Sequence, residues 1–366
     1  MLIKPASSSC NMRCNYCFYS DISDIRSVKN YGIMKESVLE TIVQKALAES
    51  EQFCMFGFQG GEPTLAGIDF FRDLIKFVKQ YNVNNIKVSY SLQTNGLLLD
   101  DDWAKFFHDN NFLVGLSIDA TKQIHDDFRM DPSGKGTHNR CMAAARLLSK
   151  YNVDFNILSV LTRQFASHPD KAYRFYKQSR FRYIQFIPCL DGLNDEPGAN
   201  YYSLDAKVYG RFLCRIFDLW YSDFINDNYY SIRAFDNYIQ MLMGRPAENC
   251  AMNGVCNAYA LIEADGSVYP CDFYAIDECL LGNVSTHSFD EMLTGEKAEV
   301  FIAASKHVDT ACLTCEYSFI CRGGCRRDRE PVVNGIPSLN HFCDAYRAFF
   351  EHALPRMSAI ARSMNT

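Results

Sequence analysis

Cys10-Asn-Met-Arg-Cys14-Asn-Tyr-Cys17 places three thiols within eight residues at CxxxCxxC spacing, directly after the apolar start Leu2-Ile3-Lys4-Pro5. Thiolates are the usual protein ligands of iron–sulfur clusters, and a short loop can wrap three of them around one face of a cube. A four-iron cluster has four corners, so three cysteines leave one iron for a ligand that is not protein. An open position of that kind marks a catalytic rather than a closed structural metal site. A structural zinc site that borrows its fourth ligand from elsewhere is the alternative this spacing leaves open.

Composition narrows the classes. The 366 residues suffice for two domains or one large barrel with an extension, and 48% apolar against 22% charged residues is a globular balance. A formal charge of −6 offers no electrostatic case for nucleic acid. No apolar run approaches membrane-spanning length, and the basic n-region and apolar h-region of a signal peptide are missing, so a cytoplasmic protein with no membrane partner is expected. Sixteen cysteines in that reducing compartment point to metal rather than disulfides.

Outward from the cysteine loop, the first 230 residues alternate apolar runs with helical patterns. Residues 2–6 read as a strand leading into the loop. Residues 35–50 place Val38, Ile42, Val43, Ala46 and Leu47 on one helical face. A strand over 53–58 ends in Gln59-Gly60-Gly61-Glu62-Pro63-Thr64, a helix over 70–81 buries Phe70, Phe71, Leu74, Ile75 and Val78, and a strand over 87–92 closes on Gln93-Thr94-Asn95-Gly96. Asp100, Asp101 or Asp102 can cap the helix carrying Trp103, Phe106 and Phe107. Strands over 112–118, 155–161 and 183–188 follow, with helices over 138–151, 170–179 and 205–225. Six strand–helix units in series predict an α/β fold, a parallel sheet with right-handed crossovers, whose site lies at the carboxyl ends of the strands. Cys10 to Cys17, Gln59 to Thr64, Gln93 to Asn95, Ser117 to Asp119 and Cys189-Leu190-Asp191 all follow strands and should converge on one mouth.

The triad Cys10/Cys14/Cys17, the Gly60-Gly61-Glu62-Pro63 turn after the second strand and the six-unit pattern together resemble the radical S-adenosylmethionine superfamily. The resemblance implies a partial (βα)6 TIM-like barrel over residues 1–230. It also implies that the open iron is chelated by the amino and carboxylate groups of S-adenosylmethionine, which an injected electron cleaves to methionine and a 5′-deoxyadenosyl radical. On matching positions, the backbone of Gly60, Gly61, Glu62 and Pro63 would hold the methionine amino group, Tyr19 would contact adenine, Ser117 the methionine carboxylate or ribose, and Leu190 would pack near the adenine. Asp119-Ala120 departs from the Asp-Gly often found after this strand, which questions the local backbone geometry. Arg129, with His125 in the same loop, is placed near the mouth as a carboxylate clamp, with a surface arginine as the alternative.

After residue 230 the alternation stops and cysteines return: Cys250, Cys256 and Cys271, then Cys312, Cys315, Cys321 and Cys325, then Cys343. Between Cys256 and Cys271, Asp265-Gly266 reads as the two-residue turn of a hairpin that draws the flanking cysteines together. Eight cysteines suffice for two four-cysteine sites, with a pair of structural zinc sites as the competing reading. The whole spacing is similar to the SPASM extension of peptide-modifying radical enzymes, which implies a small cysteine-rich domain over 231–366 with short helices. By that resemblance Cys250, Cys256, Cys271 and Cys325 bind one auxiliary four-iron cluster, and Cys312, Cys315, Cys321 and Cys343 the other, making three [4Fe-4S] clusters in all. Of the remaining cysteines, Cys54, Cys141 and Cys214 fall on apolar patterns and are expected to be buried, and Cys189 is expected to pack although it could line the mouth.

Within the superfamily, Ile3-Lys4-Pro5, Cys14-Asn-Tyr-Cys17-Phe18-Tyr19, Phe58 to Thr64, Leu92 to Gly96 and Tyr269-Pro270-Cys271-Asp272-Phe273-Tyr274 resemble the anaerobic sulfatase-maturating enzymes. The resemblance implies oxidation of a cysteine or serine in an unfolded sulfatase to Cα-formylglycine: hydrogen abstraction from Cβ, proton removal by a base, and departure of the extra electron to an auxiliary cluster. Asp272 matches the base, a role that requires it within hydrogen-bond reach of the proton it takes. Gln59 and Tyr16 are weaker candidates for holding the peptide, and the aromatic tract 212–230 with Tyr201-Tyr202 reads as core more readily than as a peptide groove. A small ferredoxin or flavodoxin is the expected electron donor, and a monomer the expected state. Two rivals stay open: a SPASM maturase making a thioether or carbon–carbon link in a ribosomal peptide, and a non-enzymatic zinc-stabilised interaction module. Many of the former carry a leader-binding domain, for which a chain starting at its first strand has no room.

Overall fold

The structure, a computed structural model, describes residues 1–333 and 336–364. It divides into two compact units, one of residues 1–118, 126–155 and 258–301, the other of residues 119–125, 156–257 and 302–364. Among the described residues no helix is long and apolar enough to cross a membrane.

The first unit is built on a sheet whose strands run in the spatial order Gly282–Asn283, Ser267–Tyr269, Leu261–Ile262, Leu2–Ile3, Phe53–Phe58, Lys87–Thr94 and Phe112–Ser117. The last five are parallel, in the registers Leu2↔Leu261, Leu2↔Gly57, Phe58↔Leu92 and Leu92↔Val114. Helices Glu36–Glu49, Ile68–Tyr81 and Asp101–Asp109 supply the crossovers. They pack apolar stripes onto an aromatic centre in which Phe71 meets Phe58 at 5.0 Å and Trp103 at 5.3 Å. Of the three candidate caps, Asp100 is the one used, accepting from the Trp103 amide at 3.0 Å. The first strand is shorter than the apolar run suggested because Pro5 has no N–H to donate, although the Lys4 amide still reaches Ile262 O at 2.8 Å.

The hairpin is present but its loop is not two residues long. Leu261 pairs with Tyr269 and Ile262 with Val268, and the Glu263 amide donates to Ser267 O at 2.9 Å, which leaves Ala264, Asp265 and Gly266 as a three-residue loop. Gly266 takes φ +89°, the left-handed closing residue such loops need. The Asp-Gly pair was the right signal with the wrong register.

In the second unit Phe155–Leu161, Tyr183–Pro188 and Ser231–Ile232 form parallel neighbours. Helix Ala206–Phe224 lies against Cys343–Met364, a 22-residue helix that the cysteine-rich pattern hid. The two approach so closely that a Cβ on Gly210 would stand 3.1 Å from Ala345 Cα. Phe212, Phe217 and Trp220 are fully buried here, Phe217 meeting Phe349 at 6.0 Å, so this part of the aromatic tract is core, not a groove. Cys54 and Cys141 are buried as expected, but Cys214 is only half-buried: its helix turns it to the edge of the stripe, where Sγ lies 3.7 Å from Ala348 O.

Trp220 also donates Nε1–H to Tyr230 O at 2.7 Å. Trp220→Ala should therefore lose about 3–5 kcal/mol of stability, through the cavity and the orphaned carbonyl, as read by anaerobic urea unfolding.

Candidate active site at the strand ends

The cysteine loop and the glycine turn are one assembly. The Gly61 amide donates to Ser7 O at 2.9 Å and the Glu62 amide to Ser9 O at 2.8 Å. Neither glycine tolerates a side chain: a Cβ on Gly61 would stand 2.0 Å from Ser9 O, and one on Gly60, at φ +115°, 2.9 Å from the Lys4 stem. Glu62 is buried, its carboxylate accepting from the Thr64 amide and hydroxyl at 3.1 and 2.7 Å, Thr94 Oγ1 at 2.7 Å and the Asn95 amide at 2.8 Å. Burial raises this carboxyl in spite of those donors. The side chain of Glu62 thus braces two strand ends, and any cofactor contact from this turn falls to its backbone.

Cys10 is exposed, and Cys14 and Cys17 are partly so. Cys10 Sγ accepts from the Met12 amide at 3.3 Å and has Asn95 Nδ2 at 3.8 Å, the kind of N–H···S contact that cluster thiolates receive. Cys14 lies in a short ladder with Arg129, whose guanidinium stands 5.4 Å over the Tyr16 ring. Both Arg129 and Tyr16 are buried, so the surface reading of this arginine is wrong. Ser117 ends its strand half-buried.

Asp272 opens a single 3-10 turn directly after Cys271. Its Oδ2 accepts from Gln59 Nε2 at 2.9 Å and from the Tyr19 hydroxyl at 3.3 Å, and its Oδ1 accepts from the Tyr259 hydroxyl. Burial, with Asp272 adding, holds the phenols of Tyr19 and Tyr259 well above the usual value, so both remain donors. Gln59 and Tyr19 therefore converge on Asp272, residues from three distant stretches brought to one carboxylate. Tyr259 was not foreseen; its only signal was its place at the start of the hairpin, opposite the Pro270-Cys271-Asp272 run.

Beneath this group lies a buried ionic cluster. Glu263 accepts from Lys4 Nζ and from Arg26 Nη1, and Lys4 Nζ stands 5.3 Å over the Tyr19 ring. Burial acts to raise the Glu263 carboxyl, but the two cations outweigh it and leave the group below its usual value.

In the second unit Cys312, Cys315, Cys321 and Cys343 line one cavity of about 330 Å³. The Cys321 thiol is pushed up to about 11, first by burial and then also by its three neighbours. Four thiols lining one cavity suit a cluster that converts them to thiolates. Cys250 and Cys256 likewise act on Cys325, whose Sγ accepts from the Arg327 amide at 3.4 Å. Leu190 is half-buried, beside a small pocket lined by Cys189, Asp191, Arg327, Asp328 and His341. Cys189 is buried, its thiol raised by burial. Asp119 accepts from the Val160 amide at 2.9 Å, and its own amide donates to Nδ1 of the buried His125 at 3.2 Å. Ala120 adopts φ +49°, so the glycine-like conformation persists without the glycine.

These are the parts of a radical SAM protein with an iron–sulfur extension. The Radical SAM superfamily model matches residues 5–176, and the SPASM model, an iron–sulfur cluster-binding domain, residues 250–316. The cysteine-type anaerobic sulfatase-maturating enzyme of Clostridium novyi (strain NT) is 48% identical over 364 residues, covering 100% of this chain and 97% of the relative. The serine-type enzyme of Bacteroides thetaiotaomicron is 28% identical over 381 residues, covering 100% and 91%. The solved structure of native anSMEcpe with bound AdoMet and Cp18Cys peptide superposes with a TM-score of 0.95 at 45% identity, over 99% of this chain and 98% of that one. The chain belongs to the anaerobic sulfatase-maturating family of radical SAM enzymes.

Glu263→Gln leaves Lys4 and Arg26 buried without their counter-charge. The expected loss is about 3–5 kcal/mol in anaerobic urea unfolding, and replacing Glu263, Lys4 and Arg26 together by apolar residues of similar volume should recover part of it.

Proposed function

We propose that this chain oxidises a cysteine side chain of an unfolded sulfatase segment to Cα-formylglycine, with Asp272 as the base that takes the thiol proton. The Asp272 carboxylate, gripped by Gln59, Tyr19 and Tyr259 next to Cys271, is the observation that carries the reading. When bound, S-adenosylmethionine and its cluster supply hydrogen abstraction from Cβ, and the auxiliary clusters supply an acceptor for the electron.

The chain's own residues provide the rest. Cys10, Cys14 and Cys17 would hold the first cluster, Cys250, Cys256, Cys271 and Cys325 the second, and Cys312, Cys315, Cys321 and Cys343 the third. The backbone of Gly60 to Pro63, with Tyr19, Ser117 and Leu190, would cradle S-adenosylmethionine, and Gln59, Tyr16 and Arg129 would meet the peptide. Cofactor binding falls to residues 1–230 and the auxiliary clusters to residues 231–366. At Asp272, the bond from Tyr19 is the longest of those measured, and a substrate thiol entering there replaces the weakest donor. The proton then rests on a carboxylate still oriented by Gln59 and Tyr259. Cysteine is favoured over serine because the cysteine-type relative is much the more similar. A cytoplasmic monomer reduced by a small ferredoxin or flavodoxin completes the reading.

The test is anaerobic incubation with reductant, S-adenosylmethionine and a peptide bearing Cys-x-Pro-x-Arg or its serine counterpart, followed by mass spectrometry. The cysteine peptide should acquire an aldehyde in place of its thiol, from a protein carrying about twelve irons if all three clusters are cubanes. Deoxyadenosine formed with both peptides unchanged would sink the assignment. Asp272→Asn should lower product by about a hundredfold or more while iron content holds. Wild-type turnover in that variant would remove Asp272 from the chemistry.

A further inference from the structure

The Tyr259 hydroxyl sits at a junction that neither the base nor the cluster ligands account for. It accepts from the Asp272 backbone amide at 3.1 Å and donates to Asp272 Oδ1. It also lies 3.6 Å from Cys271 Sγ. One oxygen therefore engages the main chain and the carboxylate of Asp272 together with the thiol of the preceding residue. Such a double hold restrains the side chain's rotamer, because the backbone amide fixes the oxygen from which the carboxylate receives its hydrogen bond.

The placement is built in by the hairpin. The Tyr259 amide donates to Pro270 O at 3.0 Å, which continues the ladder that pairs Leu261 with Tyr269. Tyr259 thus stands across from the Pro270-Cys271-Asp272 run on a rigid strand rather than on a loop. Gln59 and Tyr19 come to Asp272 from other elements and touch only Oδ2. Tyr259 is distinct in reaching both the carboxylate and the sulfur.

We propose that Tyr259 is a positioning residue whose hydroxyl, held by the Asp272 backbone amide, gives its one proton to the Asp272 carboxylate and so keeps the base in its working orientation. The proposal rests on the reading of Asp272 as the base.

The test is Tyr259→Phe in the reconstituted holoenzyme, which removes one oxygen and keeps the ring. Loss of a hydrogen bond to a charged group corresponds to a fall in kcat of about 10- to 100-fold. KM for the cysteine peptide should stay within about twofold, and the ratio of deoxyadenosine to aldehyde should rise, because hydrogen abstraction continues while proton removal lags. Iron content should match wild type. An unchanged ratio of deoxyadenosine to aldehyde overturns the proposal, as does a variant that has lost its iron. Asp272→Asn separates the two readings. A wild-type ratio in both variants means that Asp272 is not the base, whereas a raised ratio in Asp272→Asn alone means that Tyr259 does not position it.

Discussion

Two backbone hydrogen bonds, Gly61 N–H to Ser7 O and Glu62 N–H to Ser9 O, hold the cysteine loop against the glycine turn, and the active site depends on them. They form only because two successive residues lack side chains. A methyl group on Gly61 would overlap Ser9 O outright, so the constraint is steric before it is chemical. Glu62 then extends the brace to Thr94 and Asn95 at the next strand end, and Asn95 returns to the loop through Asn11 Oδ1 at 2.7 Å. A closed circuit of short contacts thus holds the start of the cysteine loop against two strand ends.

The same economy of backbone contacts governs the second half of the site. A hairpin beside the first strand carries Tyr259 on one side and Cys271-Asp272 on the other. Cys271 and Asp272 are adjacent residues, so one short turn after the hairpin strand carries both a thiol and a carboxylate. The donors to Asp272 come from helix Phe18–Asp24, from the residue after Phe53–Phe58, and from the hairpin itself. Gln59 follows the carboxyl end of a parallel strand, where the rule for such sheets places site residues, whereas Tyr259 precedes its strand.

Much of this was legible in the residue order. Strands 53–58, 155–161 and 183–188 fall where largely apolar runs put them, although Phe53, Met55 and Tyr183 face solvent. Cysteine spacing and the Cys271-Asp272 neighbourhood are local text and could be read directly. What escaped depends on distance along the chain or on geometry that residue identity does not encode. Lys4 and Glu263 meet across 259 positions, and each alone is a charge interrupting an apolar strand. The helix Cys343–Met364 contains Pro355, which breaks the usual helical pattern, and its long apolar face is matched to Ala206–Phe224 rather than to anything nearby in sequence. Arg129 is buried because a two-residue ladder with Arg13 and Cys14 draws it in, and so short a pairing leaves no periodicity to detect.

The first strand has a consequence for how the molecule is made. Leu2–Ile3 lies between a neighbour that is complete by residue 58 and another that does not exist until residue 262 has been synthesised. Lys4 waits just as long for Glu263. On the ribosome this strand therefore emerges as one half of an unfinished ladder, followed by the Lys4 ammonium whose partner is made much later. Pairings of such long separation are slow to close and expose their edges meanwhile. The cysteine loop that follows Lys4 can meet the glycine turn and Asn95 once residue 95 is made, while the ladder on the other side of the first strand closes only when the hairpin docks.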